Sequence, residues 1–122
     1  MTAQWAKQLT QFSGTENYYR IMPNVLMTDW AKFVADNGEA YWLMTTIASY
    51  LPEFTEKETF IVATLQVIRT ATSSHAILKL DDGNDNILAE QFIEYTDFEL
   101  DEIKLYACYN GDMWVIMIPR EY

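Results

Sequence analysis

The apolar residues of this chain change period once, near Phe54 to Thr59, and that switch limits what the chain can fold into. Before it, apolar positions recur every three and four residues, as along one face of a helix. After it, they run in short β-branched stretches separated by turn residues. Trp5, Leu9 and Phe12 predict a first helix that Ser13-Gly14 ends. Thr28-Asp29-Trp30 opens a second, since a Thr hydroxyl can accept from the free N–H groups of a first turn and an acid favours the positive end of the helix dipole. Trp30, Phe33 and Val34 form its apolar stripe, and Asn37-Gly38 ends it with residues that tolerate a left-handed cap. A third helix is expected from about Glu39 to Tyr50, with Ala40, Leu43, Met44, Ile47 and Leu51 at core spacing and Pro52 just beyond.

Phe60 to Ile68 is nearly apolar and rich in β-branched residues, which predicts a strand covered on both faces. His75 to Leu80 and Asn86 to Tyr95 flank Asp81-Asp-Gly-Asn-Asp85, a hairpin loop. Ile103 to Tyr109 and Met113 to Ile118 flank Asn110-Gly111, a strong hairpin signal, and Pro119 stops the last strand. The expected architecture is α+β: about three N-terminal helices packed on one face of a C-terminal antiparallel sheet of about five strands. Residues 1–122 are read as a single domain, with 1–53 mainly helical and 59–119 mainly sheet. A sheet with helices on one face still needs a cover on the other, and a second copy of the chain is the expected one, giving a homodimer.

At 122 residues, the chain can bury about two-thirds of its unfolded surface, enough for a core without disulfides or metals. Its net charge of −10 argues against binding nucleic acid through phosphates or lying on an anionic membrane. The longest apolar run, Met113 to Ile118, is far too short to span a bilayer. The N-terminus lacks the basic and apolar regions of a secretory signal, and one cysteine, Cys108, can form neither an internal disulfide nor a thiolate metal site. A cytoplasmic protein is expected.

The charge is concentrated. Asp81, Asp82, Asp85, Glu90, Glu94, Asp97, Glu99, Asp101 and Glu102 fall between Asp81 and Ile103 with no Lys or Arg among them, and so supply nine of the ten net negative charges. Such a run is either a solvated face or a docking surface for a basic partner. Within it, Asp97, Glu99, Asp101 and Glu102 are the candidate partner-binding residues. Asp82, Asn84 and Asn86 alternate like hard-oxygen ligands, but Ile87 and Ile93 stand where a calcium loop needs its Gly and its bidentate Glu. Thr96-Asp97-Phe98 resembles the Thr28 cap and suggests a single turn there.

Ser74 and His75 are neighbours on a strand and point apart, so they cannot form a nucleophile–base pair. A Cys108–His75 dyad remains conceivable in space. Phosphate-binding glycine loops, nucleophile elbows and zinc spacings are absent, so no catalytic residue, metal or cofactor is assigned, and the reading leans against an enzyme. Two aromatic pairs, Tyr18-Tyr19 beside Arg20 and Tyr41-Trp42, offer an alternative. A small enzyme or ligand-binding protein could use a pocket near Tyr18, Tyr19, Arg20 and Trp42, with the guanidinium holding an anionic group.

Thr15 to Arg20, Met27 to Asp29, Ala40 to Leu43 with Ile47 to Ser49, Asp81 to Asn84, and Tyr95 to Phe98 leading to Ile103 through Tyr106 carry a resemblance. Together they are similar to a small uncharacterised family of bacterial proteins, a domain of unknown function. The resemblance spans nearly the whole chain and implies a full-length single-domain member. It brings no activity and no site residues. The leading expectation is therefore a non-enzymatic cytoplasmic binding or regulatory module that presents its acidic segment to a basic protein, in a narrower form by mimicking nucleic acid.

Overall fold

A computed structural model describes Trp5 and residues 17–122. Its centre is a seven-stranded sheet built from β1 (Tyr18–Met22), β2 (Val25–Thr28), β3 (Phe60–Arg69), β4 (Ser74–Asp81), β5 (Ile87–Ile93), β6 (Glu102–Tyr109) and β7 (Trp114–Met117). The spatial order is β1-β2-β7-β6-β3-β4-β5. Every neighbouring pair is antiparallel except β2 and β7, which run parallel, so the sheet is mixed. Two α-helices, α1 (Asp29–Asn37) and α2 (Tyr41–Tyr50), close one face, and α2 runs on into a 3₁₀ turn at Leu51–Phe54.

The expected α+β arrangement of three helices on five strands is thus corrected to two helices, among the described residues, on a seven-stranded mixed sheet. The helix read from Trp5, Leu9 and Phe12 lies outside the described residues, apart from Trp5 itself. Trp5 packs edge-on against Phe33 and Phe98, each at 6.3 Å between ring centroids. The larger departure is that Tyr18 to Thr28 forms a strand hairpin within the half expected to be helical. These strands have only 5 and 4 residues, too few to display a period, and β2 is fixed by tertiary pairing with β7. A local cue was present in Pro23-Asn24, a turn pair between β-forming residues. Trp114 N donates to Asn24 O at 2.9 Å, tying that turn to the start of β7.

Thr28 ends β2 and caps α1. Its backbone is extended, and its hydroxyl accepts from Ala31 N at 3.2 Å. At the other end of α1 the left-handed residue is Glu39, with φ of 50°, whereas Gly38 has φ of −94°. The glycine serves close approach instead. A Cβ on Gly38 would stand 2.9 Å from both Phe98 Cε1 and Val34 O.

β3 lies at the middle of the sheet, between β6 and β4. Ile61, Ala63, Leu65 and Val67 are buried on the helix side, while Phe60, Val62 and Thr64 are half-buried and Gln66 and Ile68 exposed on the other. β3 is therefore fully covered on one face only, which corrects the expectation of two covered faces. Its apolar composition reflects its central position as much as burial. Leu43, Met44, Ile47 and Ala48 of α2 join Leu78, Leu80, Leu105, Trp114 and Ile116 of the sheet in one continuous core.

The chain's last turn returns to the start of α1. Glu121 Oε1 accepts from Thr28 Oγ1 at 2.6 Å and from Ile118 N at 3.0 Å, while Oε2 is buried without a hydrogen-bond partner among the described residues. Burial pushes the Glu121 carboxyl above its ordinary range, against the opposing pull of hydrogen bonds from Thr28 and from the Ile118 and Trp30 backbones. A carboxyl with a raised pKa in the fold stabilises the protonated state, and that contribution fades as pH rises through the raised pKa. Urea unfolding of the wild type and Glu121→Gln at about pH 4 and about pH 7 checks this. The wild type should gain relative to the variant at the lower pH; an unchanged difference would show that Glu121 titrates as in the unfolded chain.

Candidate functional site

The strand pairings divide the acidic segment between two ends of the sheet. Asp81, Asp82 and Asp85 sit at the β4–β5 hairpin. Glu94, Asp97, Glu99, Asp101 and Glu102 lie at the opposite end, in the connection from β5 to β6 and the first residue of β6. Glu90 falls midway along β5, directly across from Lys79 of β4.

At the hairpin two of the three carboxylates, those of Asp81 and Asp82, are occupied by the turn. Asp81 Oδ1 accepts from Gly83 N at 2.7 Å, and Asp82 Oδ1 accepts from Asn84 N at 2.8 Å. Asp82 Oδ2 also accepts from Asn86 Nδ2 at 2.8 Å. These bonds, the Asn86 side chain foremost, hold the Asp82 carboxyl below its usual range. The alternating Asp82, Asn84 and Asn86 are thus a turn built on side-chain acceptors. Among the described residues, no three His, Cys, Asp or Glu side chains form a group that could hold a metal ion.

At the far end the four candidate partner-binding residues differ. Arg69, the last residue of β3, pairs with the Asp101 carboxylate and donates to Phe98 O at 2.7 Å and Leu100 O at 3.3 Å. Glu99 Oε1 accepts from Trp5 Nε1 at 3.3 Å. Asp97 and Glu102 are exposed and, among the described residues, make neither a hydrogen bond nor an ion pair through their carboxylates. Thr96 does not cap a helix: its hydroxyl accepts from Phe98 N at 3.1 Å in an irregular connection, and buried Phe98 anchors that connection to the core. No Lys or Arg occurs between Asp81 and Ile103, so the reading from sequence missed Arg69. It reaches Asp101 only through sheet pairing.

The four residues of the alternative pocket do not converge. Tyr18 and Arg20 alternate with Tyr19 along β1, so they point to opposite faces. Tyr19 donates to Asp29 Oδ1 at 3.0 Å, and that bond raises the phenol's pKa. Arg20 Nη1 donates to Pro23 O at 2.8 Å, bracing the β1–β2 turn. Trp42 packs against the core from α2. Its neighbour Tyr41 turns outward and donates to Asp36, whose carboxyl is held low chiefly by Lys32 and also by Tyr41. Tyr18 does line an open cavity of about 440 Å³ on the sheet face away from the helices, with Leu26, Cys108, Val115 and Met117 among its neighbours. The lining contains no Arg20, Tyr19 or Trp42.

The Cys108–His75 dyad fails on distance. Cys108 pairs with Phe60 at one end of β3, and His75 pairs with Ile68 at the other. Eight residues along a strand separate those positions by about 26 Å. Burial also pushes the Cys108 thiol above its ordinary pKa, away from the reactive thiolate.

No helix among the described residues is long and apolar enough to cross a membrane. No curated protein and no solved structure matches the chain. A family model, DUF6876, a family of unknown function, matches residues 3–122. That match covers nearly the whole chain, and the protein belongs to this family.

Proposed function

We propose that this protein is a non-enzymatic cytoplasmic binding module that offers the acidic end of its sheet to a basic protein partner. One observation carries the reading. Five carboxylates, from Glu94 to Glu102, gather at one end of the sheet, where Arg69 is the one cation paired with any of them among the described residues. Asp97 and Glu102 are exposed, and among the described residues neither carboxylate is held in an ion pair. Long-range attraction from such a patch speeds encounter with a basic surface and weakens with salt. A DNA-binding protein, with carboxylates taking the place of phosphates, is the narrower form of this reading.

The test uses the triple variant Glu94→Gln, Asp97→Asn, Glu102→Gln, which spares the Trp5–Glu99 and Arg69–Asp101 contacts. Affinity capture followed by mass spectrometry should recover proteins of high isoelectric point with the wild type. The variant should retain less than about a tenth of them, and so should the wild type at about 0.5 M salt, where screening is short-ranged. Equal recovery by the variant would reject the acidic surface as the docking site.

A further inference from the structure

The two edges of the sheet are protected unequally. β1, at one edge, has 5 residues, includes Arg20, is irregular between Arg20 and Met22, and is followed by Pro23. A positive charge, a bulge and a proline all discourage another strand from adding to an edge. β5, at the other edge, has 7 residues, Ile-Leu-Ala-Glu-Gln-Phe-Ile, with no Lys, Arg or Pro. It pairs with β4 on one side and, among the described residues, with no strand on the other. Every second residue of such an edge turns its N–H and C=O outward without a strand partner. Large apolar side chains are exposed along it: Ile87 is 54 % exposed, Phe92 59 %, and Tyr95, just past its end, 71 %.

We infer that β5 is a strand-addition site, and that its occupant is an extended basic segment of another protein with alternating cationic and apolar residues. This rests on the reading that the partner is basic, and adds to it the backbone that would hold the partner. Charge selects the occupant. Asp82 and Asp85 precede β5, Glu90 lies within it, and Glu94 and Asp97 follow it. A second copy adding antiparallel would set the Asp82 and Asp85 end of one β5 against the Glu94 and Asp97 end of the other. Adding parallel, it would set each acid beside its own counterpart. Both arrangements juxtapose like charges, which disfavours self-addition. A strand bearing Lys and Arg on one face sets them beside Glu90 and near the acids that flank β5, with their aliphatic stems over Phe92, and its apolar residues lie on the other face beside Ala89 and Ile93. Backbone pairing then supplies affinity, and alternate side chains supply selectivity.

The probe is an acetylated, amidated and fluorescently labelled peptide, Lys-Val-Arg-Val-Lys-Val-Arg, matched in length to β5. A second peptide keeps that sequence but carries N-methyl groups on its three central residues, blocking hydrogen bonding from both of its edges. A third replaces Lys with Thr and Arg with Gln. Titration of the intact protein, followed by fluorescence anisotropy and by amide NMR shifts, should show binding of the first peptide, with the largest shifts in residues 87–93. N-methylation and charge removal should each weaken binding by at least tenfold. If the methylated peptide binds as well as its parent, strand addition is overturned while the basic-partner reading stands. If the uncharged peptide binds equally well, both the basic occupant and that reading fail. Largest shifts on β1, or no binding by any peptide, would overturn the inference outright.

Discussion

Replacing Trp114 with Ala lowers the free energy of unfolding by about 3–5 kcal/mol, the range for truncating a buried aromatic residue to Ala. Trp114 sits on β7 facing the helices, 1 % exposed, between the parallel pairing to β2 and the antiparallel pairing to β6. Its ring lies 5.2 Å from that of Tyr109, and Nε1 donates to Thr55 Oγ1 at 3.0 Å, joining the sheet to the segment that leaves α2. The loss therefore has two sources, a cavity and an unmade hydrogen bond. Trp114→Phe separates them: it retains most of the packing and should lose only about 1 kcal/mol, the net worth of one such bond. Urea unfolding followed by circular dichroism measures both variants. A loss below about 1 kcal/mol for Trp114→Ala would mean the ring is not enclosed by these three elements.

Thr28→Val is the second large effect. The hydroxyl both accepts from Ala31 N, capping α1, and donates to the half-buried carboxylate of Glu121. Valine fills the same space and satisfies neither group. Losing a cap costs about 1 kcal/mol, and a hydrogen bond to a charged group contributes about 1.5–3 kcal/mol. Glu121 is only half-buried, so water recovers part of the second loss, and a total of about 2–3 kcal/mol is expected. A double-mutant cycle with Glu121→Gln apportions it. Coupling near zero would show that the C-terminal turn is held by something other than Thr28.

These residues also show how far the chain could be read unaided. The cap at Thr28 was legible because its signal is local: a hydroxyl, an acid and an apolar stripe within one helix turn. So were the strands around Asp81 to Asp85 and Asn110-Gly111, where turn chemistry and β-branched runs lie next to each other. Tyr18 to Thr28 was marked locally only by the Pro23-Asn24 turn, since β2 is specified by Trp114 and Ile116, far along the chain, and not by any period of its own. The same holds for the acidic segment. Its residues and sign could be counted directly, but Arg69 and Trp5, which engage two of the four candidate carboxylates, enter from other elements.

By itself, then, the sequence determined the α1 cap at Thr28, the two hairpin turns of the C-terminal half and the excess of negative charge, because each depends on neighbours a few residues apart. Tertiary structure alone decided that Tyr18 to Thr28 would join the sheet, that Tyr18, Arg20, Tyr19 and Trp42 would face apart, and that β5 would lie at an edge. Pairing between distant strands sets those outcomes. The free energy that selects them resides in contacts between elements and leaves no periodic trace in any one of them.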